Sequence, residues 1–158
     1  MHRALTYRLL PTRRHVLASA AGIAASIVIQ PASAAAGDLE VAIANYTGRA
    51  QVREGRVHLE IAQLVDNGNV VPITLTADSP MTAADHVKTF ALFNEKNPQR
   101  DVVRFAMGPR AGKASITTRI RLASTQRLVA VAQMNDGSYW SHAVDVIVTV
   151  VACVEGEA

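Results

Sequence analysis

The chemistry open to this chain depends first on Cys153, which is its only cysteine and lies in the stretch TVVACVEGEA, residues 149–158. One thiol cannot close an internal disulfide, and a leftover thiol in an exported protein indicates intermolecular pairing or a reactive group. A thiolate is a nucleophile and accepts sulfur, so it could carry a sulfur group covalently and reversibly. Such a carrier arm needs no catalytic base of its own. The alternative is an inert buried cysteine, but the position of Cys153 near the C-terminus argues against it.

The histidines do not suggest a metal site. His58, His86 and His142 follow the leader, and no two of them have ligand spacing on one helix or turn. We interpret each as a solvated residue. A blue-copper site would need a histidine and a methionine soon after the cysteine, but Cys153 is followed only by Val, Glu, Gly, Glu and Ala. We find no phosphate loop, nucleophile elbow or plausible general base. The prediction is therefore no metal, no cofactor and no enzyme activity.

Residues 1–34 have the pattern of a cleaved signal peptide. Arg13 and Arg14 precede the apolar run 18–29, and Ala-Ser-Ala at 32–34 is a small-residue cleavage signature. The paired arginines indicate twin-arginine export, which carries folded proteins. The apolar run is too short for a confident transmembrane helix. An uncut membrane anchor is the alternative.

Removing this leader changes the charge of the protein. Four of the 16 Lys and Arg residues lie within it, whereas all 13 acidic residues follow it. The remainder is therefore close to neutral, with one more acidic than basic side chain. This balance gives no indication of a nucleic-acid partner, or of a membrane partner after cleavage.

Residues 35–150 are predicted to form one all-β domain, followed by the C-terminal segment 151–158. The domain begins with a short helix at 37–48. After it, apolar and polar residues alternate with period two in about seven runs separated by turn signals, which predicts an antiparallel β-sandwich. Four residues of the helix share its apolar face: Leu39, Ala42, Ile43 and Tyr46.

Several stretches make the strand prediction specific. The run 114–122 alternates most cleanly, with its even-numbered residues predicted inside. The sequences DNGN at 66–69 and NDGS at 135–138 are tight-turn signals. Pro72 indicates an edge strand or the start of a strand. The last strand is apolar on both faces over 146–151, so we expect both faces to be covered. Because the sandwich is small, we expect a partner subunit to cover the second face.

The stretch NDGSYWSHA contains the only tryptophan, Trp140, beside Tyr139. These rings could form an aromatic patch for a partner, or they could simply pack into the core next to a hairpin. The sequence leaves both interpretations open.

These stretches resemble the SoxY family, the sulfur-carrying subunits of the Sox sulfur-oxidation system. The similarity covers nearly the whole chain: the leader, NGNVVPITLTADSPMT, NEKNP, TRIRLASTQRLVAVAQMNDGSYW, and DVIVTV followed by a cysteine. The resemblance implies an immunoglobulin-like sandwich in the periplasm, a heterodimer with a SoxZ-like subunit, and Cys153 as the residue that holds sulfur intermediates. It also implies partner enzymes: a cytochrome that loads thiosulfate, a hydrolase that releases sulfate, and a sulfane dehydrogenase.

The residues around the cysteine depart from the family pattern, which is Gly-Gly-Cys-Gly-Gly. Here Val151 and Ala152 precede Cys153, and Val154 and Glu155 follow it. Glycine suits a flexible arm in a narrow channel, whereas β-branched valine is stiffer and wider. Nearby carboxylates disfavour the thiolate. We expect sulfur carriage to be retained, with different partner enzymes or a lower rate.

Two functions from different classes therefore compete. The first is a periplasmic sulfur carrier that works through Cys153 beside a SoxZ-like subunit. The second is a non-catalytic β-sandwich subunit whose cysteine makes an intermolecular disulfide. Neighbouring genes for a SoxZ-like protein and a thiosulfate-loading cytochrome would favour the first.

Overall fold

The computed structural model describes the backbone of residues 33–150 and the side-chain surroundings of residues 37–149. Almost all of the predicted signal peptide, residues 1–32, lies outside this range. The C-terminal segment also lies outside it, and with it every residue predicted to form or flank the carrier site: Val151, Ala152, Cys153, Val154 and Glu155.

The described part of the chain consists of one α-helix, nine strands and a single 3-10 turn. Within it, no helix is long and apolar enough to cross a membrane. The bounds are α1 Ser33–Thr47, β1 Val52–Glu54, β2 Val57–Glu60, β3 Leu64–Asn67, β4 Val71–Ala77, β5 Val87–Asn94, β6 Asp101–Ala106, the 3-10 turn Pro109–Ala111, β7 Ser115–Ile120, β8 Gln126–Met134 and β9 Tyr139–Val150.

The strands form two sheets, which confirms the predicted all-β, immunoglobulin-like sandwich with a short N-terminal helix. The large sheet has the order β1-β9-β8-β5-β6, with β3 also paired to β9, and the small sheet has the order β2-β4-β7. Most neighbours are antiparallel, but β1 and β3 both run parallel to β9. These two strands, of three and four residues, were not predicted, so the count rises from about seven to nine.

The main apolar core fills the space between the two sheets, and its most buried large side chains include Phe90, Leu92 and Leu75. A second, smaller cluster lies under α1, where Leu39 is buried against Phe93. The predicted helical face is confirmed, because Ala42, Ile43 and Tyr46 pack against this cluster. The domain thus has three layers: helix, large sheet and small sheet.

Tyr46 links α1 to the large sheet. Its hydroxyl is hydrogen-bonded to the hydroxyl of Thr89 on β5, and the guanidinium carbon of Arg104 on β6 lies 4.8 Å from the centre of its ring. Burial is the main reason that the pKa of Tyr46 is raised above 10.0. After Tyr46 the helix ends at Thr47, and Gly48 follows it with φ 63°, a conformation that suits glycine.

The predictions for residues within β7 and for Pro72 hold. In β7, the residues predicted to point outward are exposed, and Ile120 is buried at the inner face. Of the two predicted places for Pro72, the structure shows the start of a strand, because Pro72 is the second residue of β4, which is the central strand of the small sheet. The proline is tolerated because β2 pairs only with residues 74–77, so no β2 carbonyl faces the position of its missing N–H.

A buried amide network closes the loop that contains NEKNP. Asn94 and Gln126 are buried polar residues. The Asn97 Oδ1 accepts hydrogen bonds from Gln126 Nε2 at 2.8 Å and from the Ala123 N–H at 3.0 Å, and Asn97 Nδ2 donates to the Arg121 carbonyl at 2.9 Å. The network therefore ties the β5–β6 loop to the segment that enters β8, and it explains why these amides occur in NEKNP.

Candidate functional site

The last strand, β9, is the element that leads to Cys153, and it is paired along most of both edges. On one edge β8 pairs antiparallel with residues 139–146. On the other edge β1 pairs with residues 139–141, and β3 pairs with residues from Ile147 to Val150. Because its hydrogen bonds are shared among three strands, β9 provides a rigid support for whatever follows it.

Side chains and loops hold β9 beyond the end of its pairing with β8. The Val148 N–H donates to Thr125 Oγ1 at 3.0 Å, and the Ile147 N–H donates to the Gln63 carbonyl at 2.7 Å. On the β3 side, Thr149 Oγ1 donates to the carbonyl of Asp66 at 3.2 Å. The strand is therefore fixed on both edges up to the last residues described.

The covalent chain limits how far Cys153 can lie from this anchored end. The cysteine is three residues beyond Val150, and an extended chain spans at most about 3.6 Å per residue. The two Cα atoms are thus within about 11 Å of each other. A protein that reaches the thiol must approach the end of the sandwich closely.

The outer face of β9 near this end is apolar and uncovered within the described part of the chain. Val146 and Val148 point into the core, whereas Ile147 points outward and is 56% exposed. Its neighbour in register on β3, Leu64, is 60% exposed. Helix α1 covers the same face farther back, at Ala143. The outward-pointing Ile147 agrees with the prediction that the last strand is apolar on both faces. That a partner subunit covers this outer face stays a prediction.

A groove lies beside this pair, at the edge of β9. Within the described residues, no strand pairs with residues 142–146 on this edge, and the space there measures about 700 Å³. We name it the β9 edge groove. The described residues that line it contain two carboxylates and no Lys or Arg: Leu59, Glu60, Ile61, Gln63, His142, Ala143, Val144, Asp145 and Ile147.

The fold brings together two histidines that we interpreted as isolated. The rings of His58 on β2 and His142 on β9 have centroids 6.2 Å apart. The Leu59 N–H donates to His142 Nδ1 at 3.0 Å, and His58 Nε2 lies 3.3 Å from an Asp78 carboxylate oxygen. Over the described residues, no group of three or more His, Cys, Asp or Glu side chains could hold a metal ion. We assign His142 a structural role, as a cap on the backbone of β2.

His86 lies apart from this pair. Its Nδ1 donates to the Thr82 carbonyl at 3.0 Å, within the loop before β5. This contact is local and holds the loop in shape.

The structure favours packing over a partner patch for Trp140 and Tyr139. Trp140 packs against the core between the sheets, with the guanidinium carbons of Arg53 and Arg56 5.7 and 5.8 Å from its ring centre. Tyr139 packs on the opposite face of the sheet, where its ring centre is 5.9 Å from that of Tyr46. Because the two rings lie on opposite faces, they do not form one surface.

Comparison with known proteins identifies the family. The family model for sulfur oxidation protein SoxY matches residues 43–153, which is more than half of the chain and includes Cys153. The chain belongs to the SoxY family. The solved structure of the sulfur carrier protein SoxY from Chlorobium limicola f thiosulfatophilum superposes with a TM-score of 0.61 and 28% sequence identity, and the match covers 73% of this chain and 99% of that one.

Two superoxide reductases are similar to this SoxY-family chain in fold alone. A superoxide reductase (neelaredoxin) from Ignicoccus hospitalis matches with a TM-score of 0.52 and 18% identity over 58% of this chain and 79% of that one. The superoxide reductase from Nanoarchaeum equitans matches with a TM-score of 0.51 and 13% identity over 61% and 100%. No curated protein sequence matches the chain.

Proposed function

We propose that this SoxY-family chain is a periplasmic sulfur carrier that holds sulfur intermediates covalently on Cys153. The observation that carries the proposal is the family match that runs through Cys153, together with a last strand anchored on both edges a few residues before it. The similar structure from Chlorobium is that of a sulfur carrier protein. A rigid support and a short arm suit a thiol that is presented to other proteins.

The chemistry needs only a thiol from this chain. In loading, the thiol and thiosulfate form a sulfur–sulfur bond, release a proton, and pass two electrons, one at a time, to the thiosulfate-loading cytochrome and its own electron acceptor. The product is a thiosulfonate on the cysteine. A hydrolase then adds water across the bond to the terminal sulfonate, which releases sulfate and a proton and leaves a persulfide. A sulfane dehydrogenase would act on that outer sulfur. The chain is thus a substrate of its partner enzymes.

The cellular setting belongs to the same proposal. The paired Arg13 and Arg14 in front of an apolar run support export by the twin-arginine route, which would deliver the carrier to the periplasm. Membership of the SoxY family supports a heterodimer with a SoxZ-like subunit. Co-expression with a SoxZ-like protein and size-exclusion chromatography would test this part separately.

The decisive experiment is an intact mass of the protein isolated from the periplasmic fraction of thiosulfate-grown cells, recorded before and after a reductant. We expect an added mass that corresponds to one or more sulfurs or to a thiosulfonate, and its loss on reduction. The Cys153→Ser variant is the control and should show no added mass. A free thiol, or only a reducible protein dimer, would instead support the structural subunit with an intermolecular disulfide.

A further inference from the structure

We propose that the β9 edge groove and the adjacent Leu64–Ile147 pair form the docking surface for the enzyme that loads Cys153. The enzyme would present an apolar protrusion flanked by Lys or Arg side chains. This inference rests on the proposed function, because it assumes that Cys153 is the residue acted on. It goes further by identifying the surface of the folded domain through which the enzyme recognises the carrier.

The first argument is reach. Cys153 lies within about 11 Å of Val150 along the chain, and Val150 is paired in register opposite Asn67 on β3. An enzyme that closes around the thiol must therefore meet the end of the β3–β9 pair. Leu64 and Ile147 lie on that pair, and the groove begins at Ile147.

The second argument is the chemistry of the surface. Leu64 and Ile147 are large apolar side chains that are paired in register and more than half exposed, so together they offer a partner two adjacent apolar contacts. Glu60 and Asp145 line the groove beside them, and Asp66 lies exposed on β3. Arg127 on β8 lies in register opposite Asp145, so the surroundings are acidic chiefly on the β2 and β3 side of β9. Apolar contacts beside these carboxylates favour a partner with an apolar centre and Lys or Arg side chains on that side.

The third argument is the mixed character of the surface, which suits a transient partner better than the partner subunit that the sequence pattern led us to expect on this face. Obligate interfaces are more apolar than transient ones. Here two apolar side chains lie beside an open groove that is lined by two carboxylates. A carrier that passes between enzymes needs an interface that dissociates quickly, and a surface of mixed polarity meets that need.

The test is steady-state loading of the complete carrier, with its SoxZ-like subunit, by the purified thiosulfate-loading cytochrome of the same system. We compare wild type with a variant that carries both Leu64→Ser and Ile147→Ser. Val41→Ser is the matched control, since Val41 is 59% exposed on α1. We expect kcat/KM for the double variant to fall about tenfold with kcat unchanged, because removal of an interface anchor weakens docking and leaves the chemistry intact.

A charge variant gives an independent readout. Asp145→Lys reverses one carboxylate of the groove and should lower kcat/KM most strongly at low salt, with the difference from wild type shrinking as ionic strength rises. The rate at which a small disulfide reagent reacts with the thiol should be the same in all variants, because that reaction needs no docking.

Three results would overturn the inference, and one of them also overturns the proposed function. Equal kcat/KM for the double variant, Val41→Ser and wild type would show that this surface does not dock the enzyme. Loss of the SoxZ-like subunit from the double variant in size-exclusion chromatography would assign the surface to that subunit. If Cys153→Ser were loaded as well as wild type, the carrier function itself would fail, whereas the first two results leave it standing.

Discussion

The backbone of Val148 and the hydroxyl of Thr125 bond to each other in both directions. The Val148 N–H donates to Thr125 Oγ1 at 3.0 Å, and the Thr125 hydroxyl lies 3.5 Å from the Val148 carbonyl. The side chain of Thr125 thus takes the place of a missing strand partner, since β8 begins only at Gln126. This contact fixes one edge of the strand that leads to the cysteine.

Replacing Thr125 with valine should loosen this end of β9. We expect Thr125→Val to lower the free energy of unfolding by about 1 kcal/mol, because the Val148 N–H loses its acceptor. Hydrogen exchange at the Val148 amide should become faster, while amides in the middle of β9 stay protected. Thr117→Val is the control, because the hydroxyl of Thr117 pairs with the exposed hydroxyl of Thr74. Unchanged exchange at Val148 would contradict this account of the anchor.

The residues around Cys153 should set the rate of exchange with standard Sox enzymes. We expect replacement of VACVEGEA by GGCGG to raise the rate of loading. Glycines make the backbone around the cysteine more flexible than the valines do, and the replacement also removes the carboxylates that disfavour the thiolate. The measurement is loading by a thiosulfate-loading cytochrome from an organism whose SoxY has the Gly-Gly-Cys-Gly-Gly ending. Equal turnover for the two proteins would mean that the altered flanks have no part in recognition.

Asn97 should be important for stability although it lies far from the cysteine in sequence. Asn97→Ala removes both amide atoms from the loop network and leaves the buried Gln126 without its acceptor. We expect a loss of about 2–3 kcal/mol in the free energy of unfolding, since an unsatisfied buried polar group adds to the lost hydrogen bonds. Asn45→Ala, at an exposed position of α1, is the matched control. Denaturant unfolding of both variants measures the difference, and similar midpoints would argue against the network.

The hairpin turn before β9 should weaken in strong acid. Hydrogen bonds from the Ser138 hydroxyl and then from its N–H lower the pKa of Asp136 below 3.8. A carboxyl group whose pKa is lower in the folded than in the unfolded state stabilises the fold fully at pH values above its unfolded pKa. This contribution is lost as the pH falls through the pKa of the folded state. We expect an NMR titration of Asp136 to give a midpoint below 3.8, and Asp136→Asn to abolish this part of the acid dependence. A midpoint at or above 3.8 would refute the assignment.

Local patterns predicted much of the fold. The alternation in β7, the apolar face of α1 and the NDGS turn were all readable, because each depends on residues close together in the chain. In contrast, β1 and β3 were missed. Both strands are short, and each is a strand because its backbone pairs with β9, which is far away in sequence. Leu64 and Val65 also run directly into the DNGN turn signal, which hid the strand before it.

The surroundings of the candidate site were less predictable for the same reason. The closeness of His58 and His142 depends on β2 crossing over β9, and no spacing in the sequence announces it. The groove beside Ile147 lies along the part of the β9 edge between β1 and β3. Among the described residues, no strand pairs with that part of the edge. The gap became visible only once the strand pairing was known. The apolar character of 146–151 predicted a second apolar face covered by a partner subunit. Ile147 is an exposed apolar side chain on that face, and its cover by a partner stays a prediction.

The position of β9 in the large sheet has a consequence for synthesis. It lies between β1 and β8 and also holds β3, so neither short strand has its large-sheet partner until residues 139–150 have left the ribosome. A nascent chain that stops earlier exposes the edge of β8 as a template for wrong pairing. Native pairing of residues 52–54 with 139–141 also closes a long loop, which slows folding. The large sheet therefore cannot be completed in the order in which its strands are made, because its two shortest strands wait for the last one.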